Sequence, residues 1–475
     1  MESPPSSRAP QAASVPLTFV GGAAGALAPV CVFVLGVAAL AYAGAPDERG
    51  FWPVLLLGLG VGLLLAQDRG AYAEAMLDGM SDRLVATMIL AWLLSGVMAA
   101  VLGASGVIGA IAGLAREAGL TGGGYVAVAM LASALVSMAT GTSFGTLMLC
   151  GPLLYPAGGA AGAAPAPLLG AILAGATFGD SLSPISDTTI ASSGSQGVDI
   201  GGTVRARLKY AVPAGLMALL VLAAVGGADA PGTGLASRGA SLPPVQPFAL
   251  TMLAAPTLAL VLLWRGRSLV EGLMAGVAAT IALGLVTGLV APSALLRVDA
   301  AAFGARGLVS DGLSRGVGVS VFTMLLMALV EPLKRSGVIA RVAEPRGASS
   351  SVRATEGWIV AVVSAAVLLT THSVVAILSV GDVVRGRGAA AGVDGYRRAN
   401  LLDLTVCTWP FLLPWFLPTI LASGVTRDAA TYGMPAIAPW RAGMWNGYAW
   451  ALVAMVAWMV LAGYGRSLPE QRAEP

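Results

Sequence analysis

The sequence predicts an all-α polytopic membrane protein: two inverted-topology repeats with about ten transmembrane crossings, two re-entrant hairpins and broken helices. Three observations predict it. Of 475 residues, 57% are hydrophobic and only 11% charged, against roughly 25% charged in an average soluble domain. The apolar residues come in blocks of about 20, the run that crosses roughly 30 Å of hydrocarbon; a membrane barrel would show short alternating strands instead. Short motifs of the first half also return, in order, in the second.

Residues 1–15, rich in Pro, Ser and Ala, read as a disordered tail rather than a cleavable signal with a basic start. A first membrane repeat, 16–228, holds apolar blocks near 17–43, 51–67, 84–104, 123–157, 167–195 and 206–228. A Gly/Pro/Ser-rich external linker, 229–245, leads to a second repeat, 246–465, with blocks near 246–264, 269–291, 316–334, 357–384, 397–424 and 444–465. Residues 466–475 form a cytoplasmic tail. Asp78-Gly79-Met80-Ser81 returns as Asp311-Gly312-Leu313-Ser314, Ser105-Gly106-Val107-Ile108 as Ser336-Gly337-Val338-Ile339, and Thr140-Gly141-Thr142-Ser143 as Thr370-Thr371-His372-Ser373, at offsets of 233, 231 and 230. Repeats of this kind place a substrate site at their interface, near the bilayer midplane.

Basic residues set the topology, because cytoplasmic loops carry an excess of Lys and Arg. If the blocks 123–157 and 357–384 enter and return as hairpins, 19 of the 27 Lys+Arg fall inside; twelve full crossings would split them 14 to 13. The hairpin topology therefore gives five crossings and one hairpin per half, inverted halves and both termini in the cytoplasm. In this scheme Arg205, Arg207 and Lys209 are cytoplasmic flanks of the sixth block. Trp52, Trp264, Trp358 and Trp445 fall near block ends, as an aromatic belt does. Asp78 and Asp311 read as acids that open helices, and Glu331 as an interfacial partner of Lys334.

Two polar islands interrupt this apolar background. No charge occurs between Glu117 and Asp180, and Thr140-Gly141-Thr142-Ser143-Phe144-Gly145-Thr146 stands in the middle of that stretch. Four hydroxyls and two glycines break a helix and present carbonyl and hydroxyl oxygens, the donors that hard cations favour. The second island, Gly179-Asp180-Ser181-Leu182-Ser183-Pro184-Ile185-Ser186-Asp187-Thr188-Thr189, puts two carboxylates inside a predicted span. A charge at mid-membrane costs about 2.5 kcal/mol or more and marks function. Pro184 lacks an N–H and predicts an unwound segment with both acids nearby.

These two islands resemble the signature of the NhaC family of sodium/proton antiporters. The resemblance in spacing and hydropathy covers about 50–465, and its specific motifs lie in 140–189. It implies a secondary transporter of the plasma (inner) membrane, often dimeric, that exchanges Na⁺ or Li⁺ for H⁺ by alternating access, with no cofactor beyond the transported ions. It also implies an ion-binding role for Thr140, Thr142, Ser143, Asp180, Ser183, Ser186, Asp187, Thr188 and Thr189, with Asp180 and Asp187 holding the Na⁺. In the second half the corresponding positions are Thr371, Ser373, Asp403 and Thr405, and His372, the only histidine, is a proton-relay candidate at the second tip.

The second half departs from the family pattern, with Arg398-Ala399-Asn400-Leu401-Leu402-Asp403-Leu404-Thr405 where paired acids are expected. NhaC-like proteins include carriers of small organic ions, so a small organic anion or amino acid coupled to H⁺ or Na⁺ is the alternative substrate. An intramembrane enzyme using the two acids is a third class, disfavoured because an enzyme needs no mirrored gate. No phosphate-binding loop of the G-x-x-x-x-G-K-[ST] kind is present. Partners are the lipid bilayer and a small ion; nothing suggests nucleic acid. Cys31, Cys150 and Cys407 lie in apolar stretches without paired or metal-ligand spacing and read as packing residues.

Overall fold

The structure, a computed structural model, describes residues 16–42, 48–227, 248–265, 267–300, 304–343 and 351–466. The predicted tail 1–15, the linker 229–245 and residues 467–475 lie outside the described residues.

The first half runs α1 (Ala23–Tyr42), α2 (Glu48–Leu65), α3 (Arg69–Met80), α4 (Arg83–Ala104), α5 (Val107–Glu117), α6 (Gly123–Thr140), α7 (Ser143–Ala160), α8 (Pro165–Leu182), α9 (Asp187–Gln196) and α10 (Ile200–Gly226). The second half runs α11 (Ala254–Trp264), α12 (Leu269–Val286), α13 (Pro292–Leu295), α14 (Leu308–Arg335), α15 (Val338–Ala343) and α16 (Val352–Thr370). It continues with α17 (Ser373–Ala390), α18 (Gly395–Val406), α19 (Leu417–Asp428), α20 (Pro439–Met444) and α21 (Gly447–Ala462). Among the described residues, eight helices are long and apolar enough to cross a membrane, and three shorter apolar helices accompany them. The chain is a multi-pass, all-α membrane protein.

One element escapes that class. Arg297–Asp299 (β1) and Gly304–Arg306 (β2) pair antiparallel, with Val298 opposite Ala305. An Arg306–Asp299 ion pair at 2.9 Å spans this ribbon.

Local chemistry starts the helices where their caps stand. Asp199 accepts from the Gly202 N–H at 2.6 Å and caps α10, and Ser268 with Glu271 forms a capping box at α12. The Asp199 cap starts α10 six residues before the predicted edge of its block, which corrects one expectation. Arg207 is not a solvent-exposed flank: it lies two turns inside α10 and is fully buried. Arg397 of α18 is buried too, paired with Glu356 at 3.0 Å.

Asp78 likewise closes a helix instead of opening one. It stands in the last turn of α3 and pairs with Arg335 of α14 at 2.5 Å. Asp311 does lie in the first turn of α14. Glu331 holds Lys334 at 2.6 Å and Arg335 at 3.2 Å.

Helices in lipid gain no hydrophobic drive from one another, so close association depends on small residues that let backbones touch. The repeated Asp-Gly-x-Ser motif serves that end. A Cβ on Gly79 would strike the Met327 carbonyl of α14, and one on Gly312 would stand 2.5 Å from Val97 Cα of α4. The contact between α4 and α14 is reciprocal, since a Cβ on Gly96 would strike the Gly312 carbonyl. Gly175 and Gly179 of α8 meet the Met130 and Ala134 carbonyls of α6 in the same way, and the Ser137 hydroxyl donates to the Ala176 carbonyl at 2.5 Å.

Gly312→Val inserts two methyls and a Cβ where backbone atoms already touch, so the protein in detergent should lose about 1–3 kcal/mol of stability or more, the cost of overpacking. Gly60→Ala, at a helical glycine with nothing within 4 Å of the added Cβ, should leave the thermal midpoint unchanged or raise it. Equal effects from the two would rule out a close crossing at Gly312.

Candidate functional site

Four interruptions of helix meet at one crevice. Two are turns between consecutive helices. After α6, Gly141 takes a left-handed φ of +66° and Thr142 is extended, its hydroxyl capping α7 by accepting from the Gly145 N–H at 3.4 Å. After α16, Thr371 takes φ +52° and His372 is extended before Ser373 opens α17. The two tips thus share a backbone course, at the offset of 230 read from the sequence. A branched residue with a left-handed backbone is costly and persists where the surroundings over-determine it. Gly141 needs its hydrogen for space as well, because a Cβ there would lie 2.8 Å from both Ile185 Cγ1 and its carbonyl oxygen.

The other two interruptions unwind helices. Between α8 and α9 the chain leaves helical form over 183–186, around Pro184. Asp180 sits in the last turn of α8 and Asp187 is the first residue of α9. Between α18 and α19 the chain passes through a short 3₁₀ turn, Trp409–Phe411, flanked by further irregular residues.

The crevice walls include Thr142 and Ser143 from the first tip, Asp180, Asp187 and Thr188 from the first broken helix, and Thr371, His372 and Ser373 from the second tip. The second broken helix contributes Cys407, Pro410, Phe411, Leu417 and Pro418. Cys407 therefore lines the crevice and is not a packing residue alone. The α4 residues Val85 and Met88 and the α14 residues Thr323, Leu326 and Met327 close the apolar side.

The α7 N-terminus faces Asp180, whose Oδ2 accepts from the Ser143 N–H at 3.2 Å and from the Ser143 hydroxyl. A carboxylate at a helix N-terminus is favoured by backbone dipole and free N–H groups alike. Asp180 Oδ1 is buried without a hydrogen-bond partner, and so is His372 Nδ1. Asp187 keeps its side chain open to the crevice.

Other predicted residues take supporting places. Thr140 turns to its own hairpin, within 3.4 Å of the Ser137 and Thr142 carbonyls and 3.3 Å of the Thr146 hydroxyl. The Ser183 hydroxyl accepts from the Ile185 N–H at 3.4 Å, and Ser186 shares a 3.1 Å hydrogen bond with Thr188. Thr405 lines a separate, largely apolar pocket with Trp409 and Val456. Thr189 and Asp403 are turned away from the crevice into a buried cluster around Arg207, which pairs with Asp403. Asp403 is the sequence counterpart of Asp180 but is not open as Asp180 is.

Arg207 and Asn400 are the residues that sequence reasoning missed. The usable signal was Asp199, a capping residue that draws Arg207 two turns into a helix. Among the described residues, no three His, Cys, Asp or Glu side chains converge as a resident metal centre.

Residues 12–227 match the model of the Na⁺/H⁺ antiporter family. A malate-2H⁺/Na⁺-lactate antiporter of Bacillus subtilis is 39% identical over 103 residues, 22% of either chain. The Na⁺/H⁺ antiporter NhaC of Alkalihalophilus pseudofirmus is 33% identical over 180 residues, 36% of this chain and 38% of that one. The arginine/ornithine antiporter ArcD of Halobacterium salinarum is 39% identical over 108 residues, 22% of either chain. The matched stretches span 22% to 38% of the length of these relatives. The match to the Na⁺/H⁺ antiporter family thus covers the first tip and both crevice acids, Asp180 and Asp187.

Proposed function

We propose that the chain is a secondary transporter, not an enzyme, that exchanges Na⁺ or Li⁺ for H⁺ across the plasma membrane by alternating access. The observation that carries this reading is the pair of acids at the unwound first helix, with Asp180 Oδ1 unpartnered and Asp187 open beside it. A bare carboxylate is expensive at membrane depth. Each acid is therefore neutralised in every state, by a dehydrated cation or by a proton, and the competition between the two couples their fluxes. The Thr142, Thr188 and Thr371 hydroxyls stand in the same walls as further oxygen donors.

The inverted-repeat topology belongs to this proposal: five crossings and one hairpin per half, both termini cytoplasmic. Its supports are the basic-residue distribution and the matching backbone of the tips at Gly141-Thr142 and Thr371-His372. The first arms, Gly123–Thr140 and Val352–Thr370, are long enough to cross by length alone. What supports their reading as hairpin arms is that both tips end at the same crevice.

One observation favours a second substrate class. The second half brings no acid to the crevice. With the N-termini of α7, α9 and α17 at its walls, a small organic anion is the alternative, in keeping with the malate/lactate relative.

In proteoliposomes carrying an acidic interior, added Na⁺ or Li⁺ should release protons, and Asp180→Asn should weaken apparent Na⁺ affinity by about 30-fold or more, the effect of truncating one partner of a buried charge contact. Proton release by neither ion, or an unchanged Asp180→Asn, would sink cation exchange. A thermal-shift comparison of sodium salts with organic carboxylates separates the two substrates: stabilisation by carboxylates with indifference to Na⁺ selects the organic anion, and the reverse selects the cation.

A further inference from the structure

The acid that corresponds to Asp180 in the second half already holds a cation, and that cation belongs to the chain. The Arg207 guanidinium is fully buried and pairs with Asp403 Oδ2. Its other donors reach the Ser181 carbonyl at 2.7 Å, the Thr189 hydroxyl at 2.8 Å and the Asn400 amide oxygen at 2.8 Å. These acceptors come from α8, α9 and α18, so the arginine of α10 sits where the first broken helix meets the second. Asp403 Oδ2 also accepts from the Thr189 and Ser192 hydroxyls, each at 3.2 Å, and its Oδ1 lies 3.8 Å from Cys407 Sγ.

A cross-link alone needs only the carboxylate. Here a carboxylate, a backbone carbonyl, a hydroxyl and an amide oxygen converge from three helices on one positive charge, which is the donor set of a hard-cation site. Asn400 and Asp403 stand three apart on α18 and so present one face to it. While the guanidinium stays, it fills the place beside Asp403 that a metal ion would take.

We propose that the oxygen nest around Arg207 is a second cation site occupied permanently by the guanidinium, and that it accepts a Na⁺ ion once that side chain is removed. Under the exchange reading, the built-in cation limits the exchangeable charge to Asp180 and Asp187.

The test uses the full chain in detergent, with Na⁺ binding read by isothermal titration and unfolding followed in NaCl against choline chloride at equal ionic strength. On an Asp180→Asn/Asp187→Asn background the crevice has no carboxylate, and Na⁺ should have no effect. Adding Arg207→Gln should create binding of one Na⁺ per chain and an unfolding midpoint that rises with Na⁺ but not with choline. Adding Asp403→Asn should remove both gains, and Arg207→Lys, which keeps a cation in the nest, should show neither. The same Arg207→Gln change on the otherwise unaltered chain should add one bound Na⁺ to whatever that chain binds.

Arg207→Gln without any gain of Na⁺ binding overturns the proposal. So does Arg207→Gln that unfolds in NaCl as fully as in choline chloride while Arg207→Gln/Asp403→Asn folds, because the defect is then an unpaired carboxylate and not an empty ion site. The background lacks the crevice acids, so a failure of Na⁺/H⁺ exchange leaves this result standing.

Discussion

Hydrocarbon offers no hydrogen bonds, and that governs everything built around the crevice: each backbone or side-chain polar group freed at membrane depth must find its partner inside the protein. The chain frees such groups at four places, after Thr140, after Leu182, after Thr370 and after Val406. It resolves the demand by bringing the four together. The Ser143 N–H of one interruption serves the Asp180 carboxylate of another, and Gly141 is small enough to rest against the unwound Ile185. The remaining gap among them is lined by groups whose needs are only partly met, Asp180 Oδ1 and His372 Nδ1 among them.

The two halves meet this demand differently. In the first half the acids face the gap. In the second half the matching acid is closed off by Arg207 and two hydroxyls, and the crevice receives a thiol, prolines and a phenylalanine instead. The tips agree in backbone while the residues that carry charge do not. The same course of chain thus frames acids that line the crevice on one side and a closed ion pair on the other.

Much of the fold was legible because its signals are local. Block length and composition mark the spans. Gly141 and Pro184 mark two of the breaks by their own conformational limits, and the offset of 230 carried the first tip over to Thr371, where no glycine announces it. The start of α10 was misplaced because hydropathy does not see the Asp199 cap, and that error moved Arg207 into solvent. The fate of Asp403 was not legible at all: whether a buried acid is open or paired depends on an arginine 196 positions earlier in the chain, which no window contains. Asp78 illustrates the same limit, since its partner Arg335 lies 257 positions away.

The crossing of α4 and α14 at Gly96 and Gly312 has a mechanical consequence. Side chains between two helices act as a compliant layer, because rotamers can shift and gaps can refill. Here backbone rests on backbone at the crossing point, so no such layer separates the two helices there. Val85 and Met88 on one member, and Thr323 and Met327 on the other, form the same wall of the crevice. A change of width at that wall would fall to the tips and broken helices across the gap, because α4 and α14 already touch backbone to backbone at Gly96 and Gly312.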